Sequence, residues 1–503
     1  MAFSSFHFFL FFPFVAILFY LLPHKFRWVL ILLASALFYA FFSWRYLLFL
    51  LGIILFNYFL GIQMITKDNR MRKGLYVTGI LVNIILLCFF KYFNYLEIDL
   101  EQLACFFGLH YPGKIIDILF PLGLSYFIFT SLSYLIDIKR QVIRPEKHAG
   151  IFASYFLFFP KVVQGPIERA GRVLPQFHLK HEIDPQGIKE GLILIVWGFF
   201  KKLVVADNLA IFVNAVYSNP GISNGPASFL AIILFGFQLY ADFSGYTDIA
   251  LGTAKVLGFD LTQNFRRPFL AKSIRDFWTR WHISLSSWCS DYIFLPILTY
   301  SYELKKKIKK SRFFRRLSAE KVMYVIAAFV TFLIIGVWHG VGWTYITVGL
   351  IFGFYVSFDM LTKDFRKRVN VAAGITKFPR LFQNIQILTT FFLLLIIWLF
   401  FRASSMEDAF VMFHDLFKGW SVAEIRQMHS SFDHLGLNWV QVVAGLVSLG
   451  FLLYTDILSE KRDFFERTRE KPAIIRWSFY FILIFTIILF SAVESKQFIY
   501  TQF

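Results

Sequence analysis

The feature that most constrains this chain is a succession of apolar stretches long enough to cross a bilayer. A hydrocarbon core about 30 Å thick takes about 20 mainly apolar residues as a helix. In the N-terminal third such runs cover residues 6–22, 26–42, 46–65, 75–93 and 118–136. Others follow at 192–205, 228–240, 246–257, 322–337, 344–358, 387–401, 439–454 and 474–490, several of them short. Only 17% of the 503 residues are charged and 57% are hydrophobic, whereas a soluble domain carries about 25% charged residues. A water-soluble protein is excluded, and the expected class is an all-α polytopic membrane protein. No Lys or Arg precedes the first run and no small-residue cleavage site follows it, so it reads as a retained span and not a signal peptide. Residues 151–160, followed by Gln164, Gly165 and Pro166, read as a re-entrant or tilted segment. Irregular backbone at that depth is tolerated only where protein or a water-filled cavity satisfies it, so a central cavity is expected. The chain reads as one integral-membrane domain, with N-terminal helices over 1–138, a core over 139–360 and C-terminal helices over 361–503.

The net charge of +19 would suggest a nucleic-acid partner in a soluble chain. In a membrane protein it is first an orientation signal, because short inner loops retain Lys and Arg, and no nucleic-acid partner is expected. Segments 66–74, 137–149, 301–321 and 361–380 carry +3, +2, +7 and +5, together +17 of that charge. They are read as cytoplasmic. His24, Lys25 and Arg27 after the first run place the N-terminus outside, and Glu97, Asp99, Glu101 and Asp117 against Lys114 mark an outer connection. The run 305–316 is basic enough to hold anionic lipid head groups as well. Residues 456–471, with five basic and five acidic side chains, vote for neither side.

Ionisable residues inside a membrane are costly and therefore functional candidates. His339 follows the apolar run 322–337 within Gly336-Val-Trp338-His339-Gly340-Val-Gly342-Trp343. It lies about 27 Å along a helix from Lys321, in the outer half of a span. An imidazole titrating near neutrality can take a proton from an attacking hydroxyl and return it to a leaving group. The residues 273–292 form a second cluster, in which Ser273 and Asp276 make a capping box, Asp276 pairs with Arg280, and Trp281, Leu285, Trp288 and Tyr292 recur at helical spacing. This reads as an amphipathic interfacial helix carrying His282. A third cluster, Tyr240-Ala-Asp242-Phe-Ser244-Gly245-Tyr246-Thr-Asp248, reads as an inter-helix turn whose carboxylates can hold a histidine or a substrate hydroxyl. His178 and His181 have HxxH spacing in a polar segment with no further ligand, so no metal site is assigned. Cys88, Cys105 and Cys289 suggest neither a disulfide framework nor a zinc site.

Six blocks taken together resemble the membrane-bound O-acyltransferase family, and within it the alginate O-acetylation (AlgI-like) branch. They are FFPKVVQGPIER (158–169), YADFSGYTD (240–248), NFRRPF (264–269), FWTRWHISLS (277–286), Trp338-His339-Gly340 and QFIYTQF (497–503). The resemblance implies a funnel of about 11 to 13 transmembrane helices with re-entrant and interfacial pieces. It equates His339 with the family's invariant histidine and His282 with its second one. Trp338, Asp242, Ser244, Asp248, Gln164 and Arg280 become candidates for the substrate and donor passage. Relatives usually follow the equivalent of DYIFLP (291–296) with a Gly-Gly-Asn-Arg type loop, whereas here residues 297–302 lead into the basic run, so donor contacts from that loop are not transferred.

The implied reaction passes an acetyl group from a cytosolic thioester, acetyl-CoA in the simplest case, towards hydroxyls of an exported polysaccharide. No cofactor is bound; the thioester is a co-substrate. The resemblance also implies a bacterial cytoplasmic membrane location, membrane lipid around the protein and a periplasmic or extracellular SGNH-type transferase as partner. D-alanyl transfer to teichoic acid (DltB-like) is the rival within the enzyme class, and a polyprenol-sugar transporter the rival outside it. Transporters often carry inverted repeats and paired broken helices, and neither is seen in this sequence.

Overall fold

The computed structural model describes residues 1–66, 68–109, 120–220, 224–300, 319–422 and 438–492. Lys67, Lys114, Asp117, the basic run 305–316 and the C-terminal block 497–503 lie outside them. The described residues are helical and irregular, with no strand among them. The chain packs as two compact units, Met1–Val196 with Tyr246–Gln263 and Trp197–Gly245 with Asn264–Phe503.

In the first unit the apolar runs become α1 (Phe6–Leu21), α2 (His24–Ala40), α3 (Trp44–Thr66) and α4 (Asn69–Phe106). Asp68 caps α4, its carboxylate accepting from the Met71 amide at 2.7 Å. At 38 residues α4 far outruns its apolar stretch, so Glu97, Asp99 and Glu101, expected in a loop, continue the helix. The next helix, α5 (Leu124–Lys139), begins after Gly123, and α6 (Ala149–Leu157), α7 (Ala170–His178) and α8 (Pro185–Phe199) follow. Phe3, Phe8, Phe38 and Phe159 interlock at ring separations of 4.9–6.4 Å. Residues 158–168 are irregular yet wholly buried, as expected of backbone shielded by protein.

In the second unit α8 ends in a π-helical segment, Phe200–Ala206, that runs into α9 (Asp207–Tyr217). The expected separate runs 228–240 and 246–257 are one helix, α10 (Gly225–Val256), 32 residues long, whose residues up to Gly245 belong to this unit and the rest to the first. The turn foreseen at 240–248 does not exist. Its carboxylate Asp242 is neutralised inside the helix by Lys202, and Gly245 serves close packing: a Cβ there would lie 2.8 Å from the Gly198 carbonyl oxygen.

The interfacial helix foreseen over 273–292 is also corrected. It is two short pieces, α11 (Ile274–Trp278) and α12 (Ile283–Cys289), continued by a π-helical turn at Ser290–Phe294. His282 breaks it with a left-handed backbone (φ 43°, ψ 53°), and Trp281, Leu285 and Trp288 are buried instead of coating an interface. The remaining helices are α13 (Ala319–His339), α14 (Trp343–Leu361), α15 (Lys363–Ala372), α16 (Pro379–Arg402), α17 (Met406–Asp415), α18 (Trp439–Ser459), α19 (Phe464–Arg469) and α20 (Ala473–Phe490).

α13 and α14 form a tight antiparallel pair. A Cβ on Gly336 would meet the Tyr345 carbonyl oxygen at 2.4 Å, and one on Gly349 the Phe332 carbonyl oxygen at 2.5 Å. Where lipid removes the usual hydrophobic drive between helices, such small-residue seams supply the packing. Among the described residues eight helices are long and apolar enough to cross a membrane, while α1 is an apolar helix of only 16 residues. α20 is exposed along nearly its whole apolar length, with Ile474, Ile482, Ile488 and Leu489 each at least 65% exposed. So large an exposed apolar surface suits a helix that faces lipid.

Candidate functional site

His339 ends α13 and is 8% exposed. Its ring lies 4.7 Å from that of Trp338 and meets Phe401 of α16 edge-on at 5.0 Å. Phe401 in turn packs at 5.5 Å against Tyr345 at the start of α14. A Cβ on Gly340 would enter the Tyr345 ring at 2.5 Å, so this glycine lets the chain turn beneath an aromatic wall.

His282, 1% exposed, comes from the break between α11 and α12. Its ring meets Phe243 of α10 edge-on at 4.7 Å and lies 6.5 Å from Trp338. The two histidines, 57 positions apart in the chain, therefore both neighbour one indole. Burial pushes the His282 imidazole down to about 3, from its usual value near 6.5. It is a neutral imidazole at physiological pH, able to present one N–H and one lone pair.

The backbone of His282 is held from outside its own segment. The Asn264 carbonyl accepts from the Ile283 amide at 2.9 Å and the Asn264 side-chain oxygen from the Ser284 amide at 3.1 Å. The Arg266 amide donates to the Arg280 carbonyl at 2.9 Å. The block 264–269 is thus the clamp for the block 277–286. A left-handed non-glycine residue costs of order 1–3 kcal/mol and persists only when its surroundings over-determine it.

Other candidates of the second unit have structural bonds. Arg280 is a hub: Nε donates to Asp276 at 2.9 Å and both terminal nitrogens to Glu460 at 3.1 and 3.2 Å. The expected Asp276–Arg280 pair and the Ser273 cap, which accepts from the Asp276 amide at 3.1 Å, are present. Asp242 accepts from Lys202 at 2.6 Å, and the same ammonium lies 2.9 Å from Asp207. These three side chains are at most 3% exposed. Ser244, next to Gly245 in α10, is fully buried. Beside this cluster Lys201 lies over the Trp197 and Tyr240 rings, and Tyr240 donates to Asp456 at 2.9 Å.

Gln164 and Asp248 belong to the first unit. Gln164 is 2% exposed and neither atom of its side-chain amide has a hydrogen-bond partner among the described residues. Three positions earlier, the Lys161 ammonium sits 4.0 Å above the Tyr155 ring, and burial lowers its pKa. Glu168 accepts from the amide and, at 2.9 Å, the hydroxyl of Thr262. Asp248 is half-buried in α10. His178 faces Glu146 at 2.8 Å and His181 the Gln176 carbonyl at 2.8 Å, and among the described residues no group of three His, Cys, Asp or Glu side chains is arranged to hold a metal ion.

A two-histidine site walled by aromatics, at the end of one apolar helix and in the break of a buried segment, suits proton transfer shielded from water. Comparison with known proteins decides the class. The family model of MBOAT, the membrane-bound O-acyltransferase family, matches residues 148–406, which include both histidines. The chain belongs to the membrane-bound O-acyltransferase family. This O-acyltransferase is similar to the probable alginate O-acetylase AlgI of Pseudomonas aeruginosa, 32% identical over 83% of this chain and 75% of that one. It is similar to the peptidoglycan O-acetyltransferase of Helicobacter pylori, 29% identical over 75% and 71%. It also resembles the teichoic acid D-alanyltransferase of Bacillus subtilis, 30% identical over 48% and 58%. The chain is accordingly a multi-pass membrane enzyme.

Several residues around the site escaped sequence reading. Lys201 and Lys202 stand in the apolar run 192–205, where ionisable residues are the standard signal, but the run reads as a plain span. Asn264 opens the block 264–269, yet its capping role depends on partners about 20 positions away. Phe401, Tyr345 and Arg402 carry no local signal at all.

Proposed function

We propose that this O-acyltransferase moves an acetyl group from a cytosolic thioester, most simply acetyl-CoA, across a bacterial cytoplasmic membrane to hydroxyls of an exported polysaccharide. A periplasmic or extracellular SGNH-type transferase relays the group. The basic segments face the cytoplasm and the N-terminus the outside, so His339 stands towards the outer half of the membrane. The observation that carries the reading is that two buried imidazoles lie 4.7 and 6.5 Å from one indole, that of Trp338.

The acceptor oxygen attacks the thioester carbonyl while His339 takes the hydroxyl proton. The tetrahedral intermediate collapses with cleavage of the C–S bond, and the imidazolium returns the proton to the departing thiolate. Ester and thiol are the products. His282, kept neutral by burial, donates its N–H to the carbonyl oxygen as negative charge develops there. General-base catalysis contributes about 10²–10⁴ in rate. His339→Ala is therefore expected to cut turnover of labelled acetyl-CoA at least about 100-fold while expression and melting stay close to wild type. Substantial acetyl transfer by this variant overturns the assignment.

D-alanyl transfer is the second reading, favoured by the Bacillus subtilis relative, which matches 48% of the chain against 83% for the Pseudomonas aeruginosa one. Offering acetyl-CoA and a D-alanyl carrier thioester to the same preparation separates the two. Vectorial movement of a lipid-linked sugar without any acyl transfer supports a transporter instead.

A further inference from the structure

Arg402 is the last residue of α16, and the residue before it, Phe401, touches the His339 ring at 5.0 Å. The guanidinium therefore stands at the His339 end of the helix, away from the basic segment 361–380 that precedes α16. It is half-buried and donates to the Asn214 side-chain oxygen at 3.0 Å, with its carbon 5.4 Å from the centre of the Tyr217 ring. Among the described residues it forms no ion pair. Two other arginines of this unit, Arg280 and Arg267, lie close to carboxylates. Arg280 serves Asp276 and Glu460, and Arg267 lies 4.0 and 3.9 Å from Glu460 and Asp463.

A guanidinium offers five N–H donors in a planar fork suited to carboxylate or phosphate. Here one donor is used by protein among the described residues. Tyr217 supplies a second, independent sign. It is 4% exposed and its hydroxyl has no hydrogen-bond partner among the described residues, although buried hydroxyls are nearly always satisfied. A cation without an anion and a buried hydroxyl without a partner among the described residues, joined by one side-chain contact and one residue from the His339 contact, form an incomplete anion site.

We propose that Arg402, with Asn214 and Tyr217, binds an anionic group of the acceptor, a carboxylate or phosphate near the reacting hydroxyl, and so selects acidic acceptors for the His339 site. This rests on the reading of His339 as the base. The chemistry of the anion is shared with lipid head groups, towards which an arginine at a helix end can also extend, so the test separates the two sources.

The probe is glycerol 3-phosphate, with glycerol as its neutral counterpart, added to purified full-length protein in a phospholipid-free detergent. Glycerol 3-phosphate is expected to raise the melting midpoint of wild type and of His339→Ala, and glycerol is not. Arg402→Gln is expected to weaken the apparent affinity at least about 10-fold, and Arg402→Lys to retain part of it because the charge remains. Acetyl transfer by wild type to glycerol 3-phosphate over glycerol should fall in ratio by the same factor in Arg402→Gln. No shift in wild type, or equal shifts in wild type and Arg402→Gln, overturns the proposal. Displacement of glycerol 3-phosphate by low concentrations of short-chain phosphatidylglycerol identifies a lipid head group as the occupant and overturns the acceptor assignment. Because His339→Ala retains binding and loses transfer, failure of the base assignment shows separately as transfer that survives in that variant.

Discussion

Replacing Lys202 with methionine should destabilise the protein far more than neutralising either carboxylate it serves. The ammonium lies 2.6 Å from Asp242 and 2.9 Å from Asp207, with side-chain exposures of 1%, 2% and 3% for Lys202, Asp242 and Asp207. Removing one partner of a buried pair typically costs about 3–5 kcal/mol, because the remaining charge keeps its desolvation penalty. In Lys202→Met that penalty falls on two carboxylates that shared one cation, so the upper end of the range applies. In Asp242→Asn or Asp207→Asn the lysine keeps one carboxylate, and the loss is that of one charge-assisted hydrogen bond, about 1.5–3 kcal/mol. The combination Lys202→Met with Asp207→Asn and Asp242→Asn should recover part of the loss, since none of the three charges of this cluster is left over.

The chain supplies its own reporter. Cys289 is buried while Cys88 and Cys105 are exposed. With the exposed pair replaced by serine, a thiol-reactive dye follows unfolding through Cys289 alone on heating in detergent. The expected order of melting is wild type, then the two Asn variants, then Lys202→Met lowest, with the triple variant above Lys202→Met. A Lys202→Met variant as stable as Asp242→Asn refutes the argument that this lysine offsets both carboxylates.

Two shorter predictions follow from the same structure. Gly336→Ala puts a Cβ 2.4 Å from the Tyr345 carbonyl oxygen, a backbone atom that cannot rotate away; it should part α13 from α14, cost roughly 1–3 kcal/mol in the thiol-dye assay and lower acyl transfer through the shifted His339. His282, whose pKa falls from 6.5 to about 3 on folding, takes up a proton in the unfolded chain before it does in the folded one, so stability is fully present above pH 6.5. It should decline as pH falls towards 3, with this residue contributing about 1.4 kcal/mol per pH unit, and the acid slope of the melting midpoint should be shallower in His282→Gln.

How much of this was legible in the sequence depends on whether the deciding partner was local. The spans over 322–337 and 387–401 are properties of adjacent residues, and α13 and α16 formed where hydropathy put them. The Ser273 cap and the Asp276–Arg280 pair lie within four positions and were equally readable. The turn foreseen at 240–248 failed because its carboxylate is balanced by Lys202, 40 positions away, and its glycine is used against Gly198. The broken course of 273–292 failed for the same reason. Its helical spacing is real, but the left-handed backbone at His282 is imposed by Asn264. His282 and His339 could be nominated singly, whereas their common neighbour Trp338 is a fact of tertiary packing.

The left-handed backbone at His282 carries a consequence for how this enzyme can change over time. At φ 43° the peptide chain is most comfortable with glycine, while the proposed chemistry demands an imidazole. Selection for robustness and selection for turnover therefore pull this position in opposite directions. Stabilised variants recovered without an activity screen should drift towards glycine there, and a lineage that keeps histidine must keep investing in Asn264 and its neighbours to hold it.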